Sequence, residues 1–140
     1  MLILSFDVGI KNLAYCLIDS DKNILDWDVL NCESSNTTLT MIEKLDSLDY
    51  LLGADIILIE KQPAFNPKMR IISNALFVYF TIRILHEQER KAKILFYSAK
   101  YKLRCCDVKF EFKVKSKYSK NKKLAVEHTK ILIKTHQEFF

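Results

Sequence analysis

Residues 2–18 read LILSFDVGIKNLAYCLI, and this stretch decides the fold. The apolar run Leu2 to Val8 predicts a strand, Gly9 to Asn12 predicts a turn, and Leu13 to Ile18 predicts a second strand. A polar cluster then separates these residues from a third predicted strand, Ile24 to Cys32. Because the connections are short, we expect the three strands to form an antiparallel meander.

Helices and strands alternate after the meander. Leucines and isoleucines at three-four spacing predict a helix that runs to about Leu52, with Thr37 or Thr38 as its N-cap and Gly53 as its C-cap. The run Ile56 to Ile59 has no polar alternation, which predicts a strand buried on both faces.

A long helix is predicted from Pro67 to about Arg90, with Asn66 as its cap, followed by a fifth strand from Lys93 to Tyr97. Residues 100–118 are basic and irregular, and alternation over residues 108–114 indicates an edge strand or a projecting β-ribbon. The last predicted helix covers Ser119 to Phe140. The order βββ-α-β-α-β-α predicts an α/β fold with a five-stranded mixed sheet.

Length and composition predict one domain over residues 1–140. No apolar run is long enough to span a bilayer, the N-terminus lacks signal-peptide features, and the four cysteines show neither CxxC spacing nor a disulfide framework. We therefore expect a reduced, intracellular protein without a membrane partner. His86, His128 and His136 are scattered without zinc-ligand spacing, and no phosphate-binding glycine motif is present.

The net charge of +5 is divided unevenly along the chain. Residues 1–89 carry 7 Lys and Arg against 13 Asp and Glu, whereas residues 90–140 carry 15 against 4. A basic C-terminal third indicates a polyanionic partner, with nucleic acid as the first candidate. The alternative is a Lys-rich face that is simply solvated.

Two acids stand where predicted strands end. Asp7 closes the first strand just before Gly9, and Glu60 closes the strand that begins at Ile56. If those strands are adjacent, the two carboxylates share one site and need a cation between them, and oxygen ligands suit Mg²⁺ or Mn²⁺. The alternatives are that Asp7 only opens a hairpin turn and that Glu60 only pairs with a neighbouring lysine.

Several basic residues lie just past predicted strand ends, and three aromatic residues are further candidates for contacts. The basic ones are candidates for contacts with DNA phosphates, although each alone could be an ordinary solvated side chain: Lys11, Lys61, Lys100, Lys102 and Arg104. The aromatic ones could stack on bases or wedge a junction, with core packing as the alternative: Phe65, Tyr97 and Tyr101.

Residues 5–16, SFDVGIKNLAYC, closely resemble the opening motif of the RuvC-like Holliday junction resolvases, in the branch that contains the mitochondrial and poxvirus enzymes. Residues 57–63, ILIEKQP, resemble the second motif of that branch. The resemblance covers essentially the whole chain and implies an RNase H-like fold. It also implies a Mg²⁺-dependent endonuclease that acts as a symmetric homodimer on four-way DNA junctions, with Asp7 and Glu60 as catalytic metal ligands. A poxvirus member would work in the host-cell cytoplasm.

The sequence departs from this family in one respect. The family carries two further acids on a closing helix that packs beside the first strand, but here Glu127 and Glu138 are the only acids on the last predicted helix, and neither matches that motif. We therefore expect the closing helix to be missing from these 140 residues, which would hold half of the metal ligands and could be inactive. A non-catalytic junction-binding homologue and another RNase H-like nuclease stay open as alternatives.

Overall fold

The computed structural model describes residues 1–104, 111–114 and 116–135. Two compact units are present, Met1–Tyr97 and Ser98–Phe140. A single domain over residues 1–140 stays a prediction. The regular elements are β1 (Leu2–Asp7), β2 (Leu13–Asp19), β3 (Ile24–Leu30), α1 (Thr37–Asp46), β4 (Ile56–Glu60), α2 (Pro67–Phe80), β5 (Lys93–Tyr97) and α3 (Lys117–Thr135).

The five strands form one mixed sheet in the order β3-β2-β1-β4-β5. The pairs β1–β2 and β2–β3 are antiparallel, while β1–β4 and β4–β5 are parallel. Consequently β1, β3, β4 and β5 all end at the same side of the sheet, which we call the carboxyl edge (Asp7, Leu30, Glu60 and Tyr97). The predicted α/β class and five-stranded mixed sheet are confirmed.

The core lies between one sheet face and the helices α1 and α2. Phe6 is fully buried at its centre, with its ring centroid 5.5 Å from that of Phe80 and 6.3 Å from that of Tyr15. Burying one such side chain contributes roughly 1.5–3 kcal/mol. On β4, Ile57 and Ile59 are buried, but the residues that alternate with them are only partly buried. The prediction that this strand is buried on both faces is therefore wrong, because both helices of the Met1–Tyr97 unit pack on the same face.

The third strand ends at Leu30, two residues earlier than predicted. Cys32 donates its backbone N–H to the carbonyl of Ile10 at 2.8 Å, so it pairs with the β1–β2 turn rather than with β2. This bond anchors the turn from Gly9 to Asn12 at the carboxyl edge.

The first helix is also shorter than predicted. It ends at Asp46, Ser47 caps it in a right-handed conformation, and a 3₁₀ segment follows over Asp49–Gly53. The hydroxyl of Ser47 donates to the carbonyl of Lys44 at 2.6 Å, which satisfies one carbonyl of the last turn. Gly53 does not adopt a positive φ, so the prediction of a C-cap glycine is wrong.

The long helix predicted from Pro67 to Arg90 changes type part-way. It is α-helical to Phe80 and π-helical over Thr81–Glu87. The hydroxyl of Thr81 donates to the carbonyl of Phe77 at 2.7 Å, a side-chain bond that competes with the backbone pattern and commonly bends helices. The cap at Asn66 is confirmed, since its side chain accepts the N–H of Met69 at 3.4 Å.

The Ser98–Phe140 unit contains a 3₁₀ segment, Ala99–Arg104, and α3. Residues 111–114 form no strand, and the rest of the predicted edge strand, residues 108–110, lies outside the described residues. The predicted last helix begins at Lys117 instead of Ser119, and residues 136–140 are likewise outside the described part. No helix in the described ranges is long and apolar enough to cross a membrane.

The two glycines of the chain offer a matched test of the turn beside β1. A Cβ at Gly9 would lie 2.5 Å from the carbonyl oxygen of Asn12, whereas a Cβ at Gly53 would meet no atom within 4 Å. We expect Gly9→Ala to lower the free energy of unfolding by about 1–3 kcal/mol, because the backbone of the turn must shift. Gly53→Ala should leave it unchanged or raise it by about 0.4–1 kcal/mol. Urea unfolding of both variants measures the difference, and equal stabilities would contradict the close-approach explanation.

Candidate active site at the carboxyl edge

Asp7 and Glu60 end adjacent parallel strands. The register pairs Phe6 of β1 with Ile59 of β4, so the next position on each strand is the acid. Phe6 and Ile59 point into the core, and because side chains alternate along a strand, Asp7 and Glu60 lie on the opposite face. Asp7 is exposed and Glu60 is partly buried, so both acids are at the solvent-accessible edge and not in the core. The structure thus brings together the two acids that the sequence singled out.

Tyr97, the last residue of β5, completes this row of side chains. It pairs in register with Glu60, and its hydroxyl donates to the carbonyl of Phe6 at 3.3 Å. Burial, followed by the negative charges of Glu60 and Asp7, raises the pKa of Tyr97 above its ordinary value. The phenol therefore stays protonated beside the two carboxylates and ties the end of β5 to the end of β1. The sequence indicated this residue only as a possible stacking or core aromatic.

The loop after Glu60 is the second part of the edge. Lys61 donates its backbone N–H to the carbonyl of Tyr97 at 2.8 Å, and its side chain is exposed. Gln62 donates its side-chain amide to the carbonyl of Glu60 at 3.1 Å, which steadies the strand end. Phe65 is 87% exposed, so core packing does not explain this aromatic.

The turn after Asp7 carries the other predicted basic residue of this unit. Lys11 is exposed, and its ammonium lies 3.3 Å from a carboxylate oxygen of Glu33. Both side chains are largely solvated, so this ion pair contributes little to stability. Replacing Glu33 with another anion beside Lys11 would therefore cost little free energy.

The remaining predicted basic residues belong to the Ser98–Phe140 unit. Lys100, Lys102 and Arg104 lie on its 3₁₀ segment, and the side chains of Lys100 and Arg104 stand 5.1 Å and 5.4 Å from the ring centroid of Tyr101. Tyr101 is exposed. The segment thus presents cations and an aromatic ring together, a combination suited to single-stranded or distorted DNA.

Asp7 and Glu60 provide part of the ligand set that a hard divalent cation needs. Carboxylate oxygens are preferred ligands of Mg²⁺, which commonly binds through one or two carboxylates and keeps several waters or substrate oxygens. Among the described residues no group of three or more His, Cys, Asp and Glu side chains could hold a metal ion. Glu127 of α3 pairs with Lys130 at 3.0 Å. Asp7 and Glu60 can accordingly supply two ligands of a magnesium site.

One group of residues at this edge was not predicted from the sequence. Lys68 in the first turn of α2 lines a cavity of about 550 Å³ together with Lys11 and hydroxyl side chains that precede and begin α1. The cap of α2 is Asn66, as predicted, but the cap of α1 is Asn36 and the prediction of Thr37 or Thr38 is wrong, because the side chain of Asn36 accepts the N–H of Leu39. The proximity of the two helix starts depends on the sheet order, which spacing alone does not reveal.

Comparison with solved structures shows the fold. Fowlpox virus resolvase in complex with Holliday junction DNA aligns with a TM-score of 0.56 at 21% identity, over 100% of this chain and 78% of that chain. RuvC of Thermus thermophilus, also with a Holliday junction substrate, aligns with a TM-score of 0.58 at 10% identity, over 97% and 96%. The yeast mitochondrial Holliday junction resolvase Ydc2 aligns with a TM-score of 0.52 at 22% identity, over 73% and 54%. The chain therefore has the RNase H-like fold of these proteins.

Sequence comparison adds two findings. Uncharacterized protein L451 of Acanthamoeba polyphaga mimivirus is 35% identical over 111 residues, which is 70% of this chain and 27% of that protein. The chain thus spans about a quarter of the length of this curated relative. The family described as Poxvirus A22 protein matches residues 1–137. Since that match extends over nearly the whole sequence, the chain belongs to the Poxvirus A22 protein family.

Proposed function

We propose that this protein is a Holliday junction resolvase, a structure-specific endodeoxyribonuclease that nicks four-way and branched DNA. The observation that carries the proposal is the pairing of β1 with β4, which brings Asp7 and Glu60 to one exposed edge. Family membership and the fold shared with solved resolvases support it. In a poxvirus the substrates would be branched replication and recombination intermediates in the host-cell cytoplasm.

Asp7 and Glu60 would hold Mg²⁺, for which Mn²⁺ could substitute, through their carboxylate oxygens. The bound cation supplies a water of lowered pKa and charge stabilisation at the scissile phosphate. The two strands hold the carboxylates at one edge before substrate arrives, so little reorganisation is needed on binding. Tyr97 steadies the last peptide of β1 and adds no negative charge to the site, because its pKa is raised.

DNA would be held by the cations around this edge and by those of the second unit. Lys11 and Lys61 flank the acids and can contact the phosphates on either side of the cut. Lys100, Lys102 and Arg104 would contact the backbone elsewhere on the junction. Such contacts carry no sequence information, so the branched path of the backbone would govern recognition.

A homodimer would place two such edges on strands of opposite arms. The surface of α2 and its π-helical continuation supports this proposal through a stripe of apolar side chains, all exposed except the partly buried Ala75. We call it the α2 stripe: Ile71, Ala75, Val78, Ile82 and Leu85. On α2 itself, Ile71, Ala75 and Val78 follow the four- and three-residue spacing of an α-helix that packs against another helix. An isologous contact between two copies of the stripe would cover this surface.

A non-catalytic junction-binding protein of the same fold is the second candidate. The observation that favours it is that the described residues contain no third metal-ligating side chain grouped with Asp7 and Glu60. The two candidates differ in a single readout, since both bind branched DNA but only a resolvase releases nicked arms in Mg²⁺.

The proposed metal ligands are tested by Asp7→Asn and Glu60→Gln. Each variant should lose at least about 100-fold in Mg²⁺-dependent junction cleavage, equivalent to about 3 kcal/mol of lost charge stabilisation. Each should also lose affinity for Mn²⁺, measured by calorimetry, while junction binding in EDTA persists. Asp21→Asn changes an exposed turn carboxylate and serves as the control. Wild-type Mn²⁺ affinity in either active-site variant would remove that residue from the metal site.

Phe65 is tested for stacking on a base at the junction. Because it is 87% exposed, Phe65→Ala should leave the unfolding midpoint unchanged. Junction affinity should fall by about 5- to 100-fold, since stacking on one base contributes about 1–3 kcal/mol. Phe65→Trp should preserve the affinity. Equal binding by the alanine variant, in a gel-shift titration at fixed salt, would assign Phe65 no role in recognition.

The α2 stripe is tested by Val78→Glu. A charge at this position should convert a dimer into a monomer in sedimentation equilibrium, because an unpaired charge in an apolar contact is strongly disfavoured. Val29→Glu on β3 is a matched control, since Val29 and Val78 are both 53% exposed. If the Val29 variant dissociates and the Val78 variant does not, the interface lies elsewhere.

A further inference from the structure

A cavity of the Met1–Tyr97 unit lies at the carboxyl edge, on the helical side of the sheet. It measures about 550 Å³ and is bounded by the β1–β2 turn, the segment before α1 and the first turns of α1 and α2. The helices start here because β3 and β4, which precede them, both run toward this edge. Asp7 and Glu60 occupy the other face of the same edge.

The lining of the cavity suits an oxyanion. Lys68 faces it from the first turn of α2, and no described residue forms an ion pair with this ammonium group. Lys11 lines it from the turn, and the hydroxyl side chains of Ser35, Thr37 and Thr38 have no hydrogen-bond partner among the described residues. A phosphate group needs this combination of one or two cations and several short donors.

The position of Lys68 is unfavourable for the helix itself. A cation in the first turn opposes the helix dipole, and neither α1 nor α2 carries an acid in its first turn to offset it. Both helix N-termini therefore add positive potential to the cavity instead of being neutralised. A bound anion would relieve this repulsion.

Glu33 is the only acid among the residues that line the cavity. Its carboxylate pairs with Lys11 at 3.3 Å in a solvated ion pair. An incoming phosphate would compete with Glu33 for Lys11, and the weak surface pair is readily replaced.

We propose that this cavity binds a phosphodiester group of a DNA arm that crosses the carboxyl edge. The inference rests on the proposed function and adds to it a second backbone contact, separate from the acid pair, in which Lys68 is the principal cation. The arm would then be fixed at two points of one edge, which sets its direction relative to Asp7 and Glu60.

The salt dependence of junction binding tests the proposal without requiring cleavage. Affinities are measured in EDTA at several salt concentrations for the wild type, Lys68→Ala and Glu33→Gln. For Lys68→Ala we expect several-fold weaker binding and a slope of log affinity against log salt that is smaller by about 0.9, the value for one lost phosphate contact. For Glu33→Gln we expect several-fold tighter binding, because Lys11 no longer has a competing carboxylate.

Two charge-matched controls are available in the same unit. Lys91→Ala removes an exposed lysine before β5, and Glu43→Gln removes an exposed acid of α1, both away from the carboxyl edge. Neither should change the slope by more than a small fraction of this value. Lys68→Ala should not lower the melting temperature, since it removes a cation that opposes the helix dipole.

Each outcome decides the proposal. Wild-type binding and slope for Lys68→Ala would overturn it and leave the proposed function intact, whereas a wild-type chain that binds no branched DNA would remove both. A titration with inorganic phosphate, followed through the amide resonances of Thr37 and Thr38, separates the two possible sources of the phosphate. Saturable phosphate binding with an unchanged junction slope would show a site for a free phosphate and overturn the assignment to DNA.

Discussion

The parallel pairing of β1 with β4 is the constraint on which the rest of the structure depends. It sets two carboxylates side by side at the end of the sheet, where their mutual repulsion opposes folding. Phe6 and Ile59, buried one position earlier on the two strands, hold the register against that repulsion. A slip of one residue on either strand would turn an acid into the core and expose an aromatic or aliphatic side chain. Burial of the core thus fixes the geometry of the site.

Three local interactions secure the end of β1, and each comes from a different part of the chain. The backbone at Gly9 closes against Asn12, Cys32 donates to Ile10, and the hydroxyl of Tyr97 donates to Phe6. Together they hold the residues on both sides of Asp7. The carboxylate therefore projects from a backbone that is supported on both sides, which is the condition for preorganised binding of a cation.

The sequence predicted the five strands and their mixed arrangement, because hydrophobic runs identify strands. It also predicted two acids at strand ends, since each acid directly follows such a run. It did not predict the features that depend on tertiary contacts. The end of β3 at Leu30 goes with the bond of Cys32 to a turn 22 residues earlier, and the change to a π-helix occurs where the hydroxyl of Thr81 donates to the carbonyl of Phe77. Gly53 matched a C-cap by position alone, but α1 ends at Asp46 and Gly53 is the last residue of a separate 3₁₀ segment without a positive φ.

The candidate site shows the same limit. Spacing identified Asp7, Glu60, Lys11 and Lys61, since each lies next to a strand end. Lys68 was not predicted because it lies inside a helix. Only the order of the strands in the sheet brings the first turn of that helix beside the β1–β2 turn. The sequence shows that residues 100–104 are basic. Their 3₁₀ conformation around Tyr101 could not be inferred from composition.

Electrostatics links the two proposals for the carboxyl edge. They assign to it three cations and three anions: Lys11, Lys61, Lys68, Asp7, Glu33 and Glu60. These formal charges sum to zero, so the bare edge would bind DNA through its individual cations and not through a net charge. A divalent cation held by Asp7 and Glu60 would make the sum positive by two. Capture of the metal would therefore assemble the catalytic centre and add positive charge to an edge that already binds phosphate through its lysines. The metal would strengthen the hold on a DNA arm that the edge also binds without it.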